Sequence, residues 1–365
     1  MAKENNGQPM FHLSKRPALI WWKSWLVRVA AVGLALVVSA IVTVVMTGLN
    51  PIEVFSAMLD GAFGTKRRLW SLAQNTAILL CIALALTPAF KMRFWNTGGE
   101  GQILVGGLAT TVVMMFIGDK LPKPMLYLAM FAASLAAGAL WGVLPAIFKA
   151  KWNTNETLFT LMMNYIAIQL VSYFVYQWAV PKGSGKIGII NQKSQLGWLP
   201  AIAGKSYLMN ILIVVAVLIF IYVYLAYSKH GYEISVVGES ENTARYIGID
   251  VGKVIIRTMV LSGALCGLAG LLIVAGTDHT ITRDSAGGQG FTAIMVSWLA
   301  KFNPIYMVLT SLLICALEKG AGEISTQFSL NSSFADIITG IIIFFIIGSE
   351  FFINYQFKIY RAQED

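Results

Sequence analysis

FWNTGGEGQILVGG, residues 94–107, sets Gly98, Gly99 and Gly101 around one carboxylate, Glu100, directly against the apolar run Ile103–Ile117. Glycine lacks a Cβ, so such a stretch can unwind, turn with positive φ or lie against a neighbouring helix. In a bilayer, unwound backbone survives only where protein or a water-filled path satisfies its N–H and C=O groups. A second copy of the signal, Gly287, Gly288, Gln289 and Gly290, precedes the short apolar stretch Phe291–Phe302. Two GGxG breaks, each feeding an apolar segment, match the paired discontinuous helices of transporters. The competing reading is two plain Gly-rich loops, because membrane helices use glycine freely.

Composition supports the membrane reading. The chain is 57% hydrophobic and 12% charged, where a soluble domain carries about 25% charged residues. The apolar residues come in long blocks, which predicts an all-α polytopic membrane protein of about ten transmembrane or re-entrant helices with inverted-repeat character. The formal charge of +9 then belongs to topology. No soluble basic patch with interleaved aromatics argues for nucleic acid. Cys81, Cys266 and Cys315 each sit alone in an apolar run and read as small hydrophobes. His12, His230 and His279 are scattered without metal-ligand spacing or a nucleophile–base set, so neither a metal site nor an enzyme is expected. GSGK at 183–186 lacks the spacing of a phosphate-binding loop, and Ile187 follows where Ser or Thr is needed.

Residues 1–25 form a basic segment with Trp21, Trp22 and Trp25, the composition of a membrane–water boundary. The membrane body runs from 26 to 355, and 356–365 is a tail. Spans are expected at about 29–49, 70–90, 102–118, 125–148, 157–180, 207–227, 254–276, 291–301, 304–317 and 334–353. Glu156, Thr160 and Asn164 are spaced i, i+4, i+8 and stack on one face of the fifth. A polar stripe on an apolar helix faces a bundle interior or a cavity, or bonds to a neighbouring helix. The seventh span is rich in small residues: Ser262, Gly263, Ala264, Gly267, Ala269 and Gly270. The polar loop 228–253 is long enough for a short helix around 239–247, either a solvated connector or a docking surface.

Ten crossings with the N-terminus cytoplasmic return the C-terminus to the same side and place 16 of the 27 Lys and Arg inside and 11 outside. The bias agrees with the positive-inside rule once the long loop 181–206 is discounted. The first break then enters from the cytoplasm and the second from outside, as inverted repeats require.

Five motifs carry a resemblance: FWNTGGEGQILVGG, NETLFTLMMNYIA, GESENTARYIGID, LSGALCGLAG and GFTAIMVSWLAKFNP. Together, over about 50 to 350, the chain resembles the permease subunits of bacterial ABC importers in the branched-chain amino acid/ribose-type family, nearest the nucleoside branch. The resemblance implies a second permease subunit, a homologous different chain, and two ABC ATPase subunits that bind ATP and Mg, so no cofactor is expected in this chain. It also implies a lipoprotein or periplasmic protein that delivers substrate, and a multi-pass place in the bacterial cytoplasmic membrane. Gly238, Glu239, Ala244, Arg245, Gly248 and Ile249 fall in the family's coupling pattern; Ser240 and Thr243 depart from it, as does Thr97 inside the first break.

The expected mechanism is ATP-driven alternating access for a nucleoside, with a simple sugar such as ribose or galactose as runner-up. Asn96, Gln102 and Asn164 are candidates for solute contact, with Glu100 stabilising unwound backbone. A secondary transporter or channel is the alternative from another class. It would need an intramembrane carboxylate for coupling, and Glu100, Glu156, Glu318 and Asp336 all lie near span ends.

Overall fold

The structure is a computed structural model and describes residues 11–16, 20–202 and 204–359. The expected N-terminal segment and tail therefore lie partly outside the described residues. The chain divides into two compact units, Met1–Arg68 with Ala316–Asp365, and Leu69–Cys315.

In the first unit, β1 (Phe11–Lys15) leads to α1 (Trp21–Thr47) and α2 (Pro51–Phe63). Asn50 opens α2 by accepting a hydrogen bond from the Ile52 N–H, with Pro51 pre-set for the first turn. α13 (Ser332–Asn354) runs antiparallel to α1, and the Arg28–Glu350 ion pair at 2.6 Å joins the start of one to the end of the other. Ala35, Val54, Met58, Ile324, Phe334, Ile338 and Ile342 form the unit's core. The opposite face of α1 leaves Leu34, Val37, Ile41 and Val45 exposed, as suits lipid. β2 (Tyr355–Ile359) pairs antiparallel with β1, Phe11 opposite Ile359, a two-stranded ribbon in an otherwise helical chain. That pairing puts both ends of the described chain on one side of the membrane.

The second unit begins within α3 (Lys66–Lys91) and continues through α4 (Gly99–Phe116), α5 (Lys123–Trp152), α6 (Glu156–Trp178) and α7 (Leu208–Tyr227). Two short helices follow, α8 (Lys229–Glu239) and α9 (Glu241–Tyr246), then α10 (Val251–Ile273), which ends in a π-helical turn, Val274–Asp278. α11 (Gln289–Leu299) and α12 (Pro304–Gln327) complete the set. α3, α4 and α10 are the enclosed spans, 72%, 72% and 83% buried, against 22–33% for the others. α4, α5 and α10 pack through small residues: a Cβ added at Gly267 would lie 3.1 Å from the Gly138 Cα, and one at Gly263 3.2 Å from the Gly142 Cα. Backbones that close leave no room for side chains, which is why this seam is glycine and serine.

Nine helices among the described residues are long and apolar enough to cross a membrane. The short eighth segment expected at about 291–301 is the 11-residue α11, about 16 Å long at 1.5 Å per residue and half of a hydrocarbon core. A non-helical segment of bends and turns from His279 to Gly288 precedes it, so this segment and the half-helix together make one crossing. That makes ten, an even number, in accord with the β1–β2 pairing. α12 runs on past the expected 317 through Glu318, Lys319 and Glu323. Its charges are tolerated partly because Glu323 pairs with Arg68 at 2.6 Å, which also holds Asp60 at 2.6 Å.

Candidate functional site

α3 ends at Lys91, the chain turns through the positive-φ residue Arg93, and Phe94–Gly98 are non-helical until α4 starts at Gly99. Side chains replace the missing backbone partners. The Asn96 Oδ1 accepts from the Gly98 N–H at 3.0 Å, while its Nδ2 donates to Gln102 at 3.3 Å and Ser262 at 3.2 Å. Asn164 spends both ends of its amide on the break: Oδ1 accepts from the Gly101 N–H at 2.8 Å and Nδ2 donates to the Thr97 carbonyl at 2.8 Å. Thr160 meets the Thr97 hydroxyl at 2.9 Å and accepts from its N–H at 3.2 Å. Asn96, Gln102, Thr160 and Asn164 are all buried. In this conformation these amides and hydroxyls hold the break together. Glu156, the third member of the stripe, stands apart at the start of α6, paired with Lys149 at 2.9 Å.

The second break is built differently. Ser285 accepts from the Thr282 N–H at 2.8 Å and the Gly287 N–H donates to the Asp284 carbonyl at 2.9 Å, folding the chain into a tight turn. Gly287 (φ 56°) and Gly288 (φ 75°) occupy the left-handed region, where a Cβ is penalised. Gly288 then caps α11, and Gln289 begins it half-buried, its Oε1 without a partner.

Glu100 joins the two breaks. Its Oε1 accepts from the Gly288 N–H at 2.8 Å and its Oε2 from the Gly290 N–H at 2.9 Å, across about 190 residues of sequence. A carboxylate on the free N–H groups of a helix start meets both their hydrogen-bonding need and the positive end of the dipole. Gly290 sits against this carboxylate so closely that an added Cβ would lie 3.0 Å from the Glu100 Cα. Chain enters the first break from the side where α3 ends and α10 begins, and the second from the side where α10 ends. The two breaks approach from opposite faces and meet at Glu100.

The loop 228–253 forms α8 and α9. Ser228 caps α8, Ser240 caps α9 by accepting from the Thr243 N–H at 3.2 Å, and Arg257 on α10 holds Glu233 at 2.8 Å. Gly238 lies on the end of α3: a Cβ there would stand 3.4 Å from the Met92 Cα and against the Lys91 carbonyl. α8 therefore touches the chain four residues before the Asn96 turn. Ala244 is fully enclosed by its own chain, whereas Arg245 (paired with Glu241 at 3.3 Å), Gly248 (φ 85°) and Glu239 are exposed and Ile249 half-buried. Tyr246, 92% exposed, and Ile247 are the exposed apolar groups of this loop. Sequence reading passed over them because one exposed aromatic in a polar loop carries no periodic signal. The backbone N–H and ammonium of Lys253 hold the Asp250 carboxyl below its usual range.

Long apolar helices with two breaks clamped by one carboxylate define a multi-pass membrane protein of the permease class. A family profile described as branched-chain amino acid transport system / permease component matches residues 69–347, and the chain belongs to that family. It is 30% identical to the guanosine ABC transporter permease protein NupP of Bacillus subtilis strain 168, over 89% of this chain and 93% of the relative. It is 28% identical to the glucose ABC transporter permease protein TsgB13 of Haloferax volcanii DS2, over 95% and 93%. Identity to the nucleoside ABC transporter permease protein NupB of Lactococcus lactis subsp. cremoris MG1363 is 26%, over 82% and 84%.

Proposed function

We propose that this chain is the permease subunit of an ABC importer that carries nucleosides across the bacterial cytoplasmic membrane by alternating access. The observation that carries the reading is the Glu100 clamp, which ties two breaks entering from opposite faces into one mid-membrane switch. Releasing or re-forming two backbone bonds at one carboxylate is a small change, of the size an alternating-access subunit amplifies. The stripe Thr160–Asn164 and the Asn96–Gln102 pair hold the first arm of the switch; Gly287, Gly288, Gln289 and Gly290 form the second. ATP and Mg belong to separate ATPase subunits docking on the α8–α9 face, whose motion reaches the first break through Gly238 and Lys91. The second permease subunit is a homologous different chain, and an external lipoprotein or periplasmic protein delivers the solute. Six crossings separate the N-terminus from α8, so this reading puts both termini and α8–α9 in the cytoplasm.

Two relatives named for nucleosides or guanosine support the substrate class. A simple sugar is the second reading, favoured by the glucose permease aligned over 95% of this chain. The test is uptake by the complete transporter, assembled with its ATPases and delivery protein, of radiolabelled guanosine against radiolabelled glucose. ATP-dependent accumulation of guanosine, competed by other nucleosides and not by sugars, is the expected result. Glucose uptake alone moves the assignment to sugars, and gradient-driven uptake without ATPases removes the importer reading.

A further inference from the structure

The segment between α10 and α11 lies deep in the membrane, and three contacts with α4 set its depth. Ile281 packs 3.5 Å from where a Gly107 Cβ would stand, Ser285 shares a small gap with Ile103 and Leu104, and the Gly288 N–H bonds to Glu100. α4 itself is fixed at its far end, where the Asn191 side-chain amide donates to the Met114 carbonyl at 2.9 Å. Residues 282–288 thus lie on the order of 10 to 20 Å below that end, at 1.5 Å per residue along α4. A hydrocarbon core is about 30 Å thick, so this is its middle.

Two full charges stand at that depth. The Arg283 and Asp284 side chains are 68% and 80% exposed, and their Nε and Oδ2 atoms are 3.3 Å apart. Lipid is excluded as their neighbour on two counts. Ionisable groups at the bilayer centre turn to a bundle interior or water, and non-helical backbone at this depth is tolerated only in protein or along a wet cavity. We infer that Thr282–Gly288 lines the water-filled path of the assembled transporter, and that the Arg283–Asp284 pair is its mid-membrane contact for a neutral, hydroxyl-bearing solute.

The chemistry of the pair selects that solute. Nε to Oδ2 cancels the net charge, so neither anions nor cations are held. What remains is a guanidinium edge that only donates beside a carboxylate oxygen that only accepts, and a sugar hydroxyl does both. Because the pair is well hydrated, its bonds are weak enough to release what they bind, as conduction requires. The solute part of the inference rests on the importer reading above; the lining part does not.

The experiment uses the complete transporter in membranes and a trimethylammonium methanethiosulfonate reagent, whose sulfur is attacked by hydrated thiolates to form a mixed disulfide with loss of methanesulfinate. Asp284→Cys and Arg283→Cys are expected to react about tenfold faster than Ile219→Cys on the exposed face of α7, with the buried native cysteines as background. Saturating guanosine is expected to slow both reactions at least about threefold, while Asp284→Asn and Arg283→Gln each lower guanosine uptake about tenfold with the ATPases still bound. Labelling of both cysteines no faster than Ile219→Cys overturns the lining. Unchanged uptake in both neutral variants overturns the solute contact. Fast labelling in a transporter that imports no nucleoside upholds the lining and removes the nucleoside reading instead.

Discussion

Glu100 is the residue on which the candidate site depends, because it is the one side chain that bonds to the second break from the first. Replacing it by alanine strands two N–H donors at a helix start, at about 1–3 kcal/mol for each one left buried. Glu100→Ala is expected to reduce uptake at least about tenfold while the protein still inserts, with Glu100→Gln intermediate because one carbonyl still accepts. Parental uptake in Glu100→Ala would show that the clamp is not part of the switch. Gly290→Val tests the same contact sterically, since its side chain would fall on the Glu100 backbone; uptake should vanish with insertion retained.

Among the elements, α8 and α9 separate two tasks on the proposed importer reading. α9 offers Tyr246 and Ile247 outward while Ala244 is enclosed, so a charge at Ala244 would damage the permease itself and says little about docking. Tyr246→Glu is the cleaner probe: expression should be unchanged, with the ATPases lost from the purified complex. α8 carries the other task, because Gly238 rests on Lys91 and Met92. Gly238→Val should leave the ATPases bound and hydrolysing while uptake falls several-fold, a split between hydrolysis and transport. If both variants fall together in assembly and uptake, the division of labour is wrong. α11 makes a parallel point: at 11 residues it cannot span, and it reaches mid-membrane only because Glu100 receives its first N–H groups.

For the whole molecule, the even count of crossings is the testable quantity. Cysteines at Lys15 and Ser240 should resist an impermeant thiol reagent in intact cells, while one at Ser194 reacts. Labelling of Ser240 from outside reverses the orientation, and labelling of Ser240 with protection of Ser194 reverses it throughout. The single chain keeps large apolar surfaces on α6 and α7, including Met162, Tyr165, Ile219 and Phe220, as suits lipid.

Sequence by itself determined the class, the approximate spans, both glycine breaks and the family resemblance. Those signals are local: a run of apolar residues or a GGxG cluster states its physical preference wherever the chain goes. The polar stripe Glu156–Thr160–Asn164 was legible as a face, yet only the packing of α6 on α4 decided that Thr160 and Asn164 brace the break and Glu156 turns to Lys149. The eighth segment was legible as a short apolar stretch after a break, but not how it is completed. Phe291–Phe302 is apolar throughout, and its use as a half-helix depends on a turn segment packed against α4 and on a carboxylate about 190 residues away. The Arg283–Asp284 pair reads in sequence as a surface loop, since charge normally marks water. Only the tertiary structure set its neighbours Ile281 and Ser285 against the middle of α4, because depth is a property of what the chain folds against and is not encoded in the residues themselves.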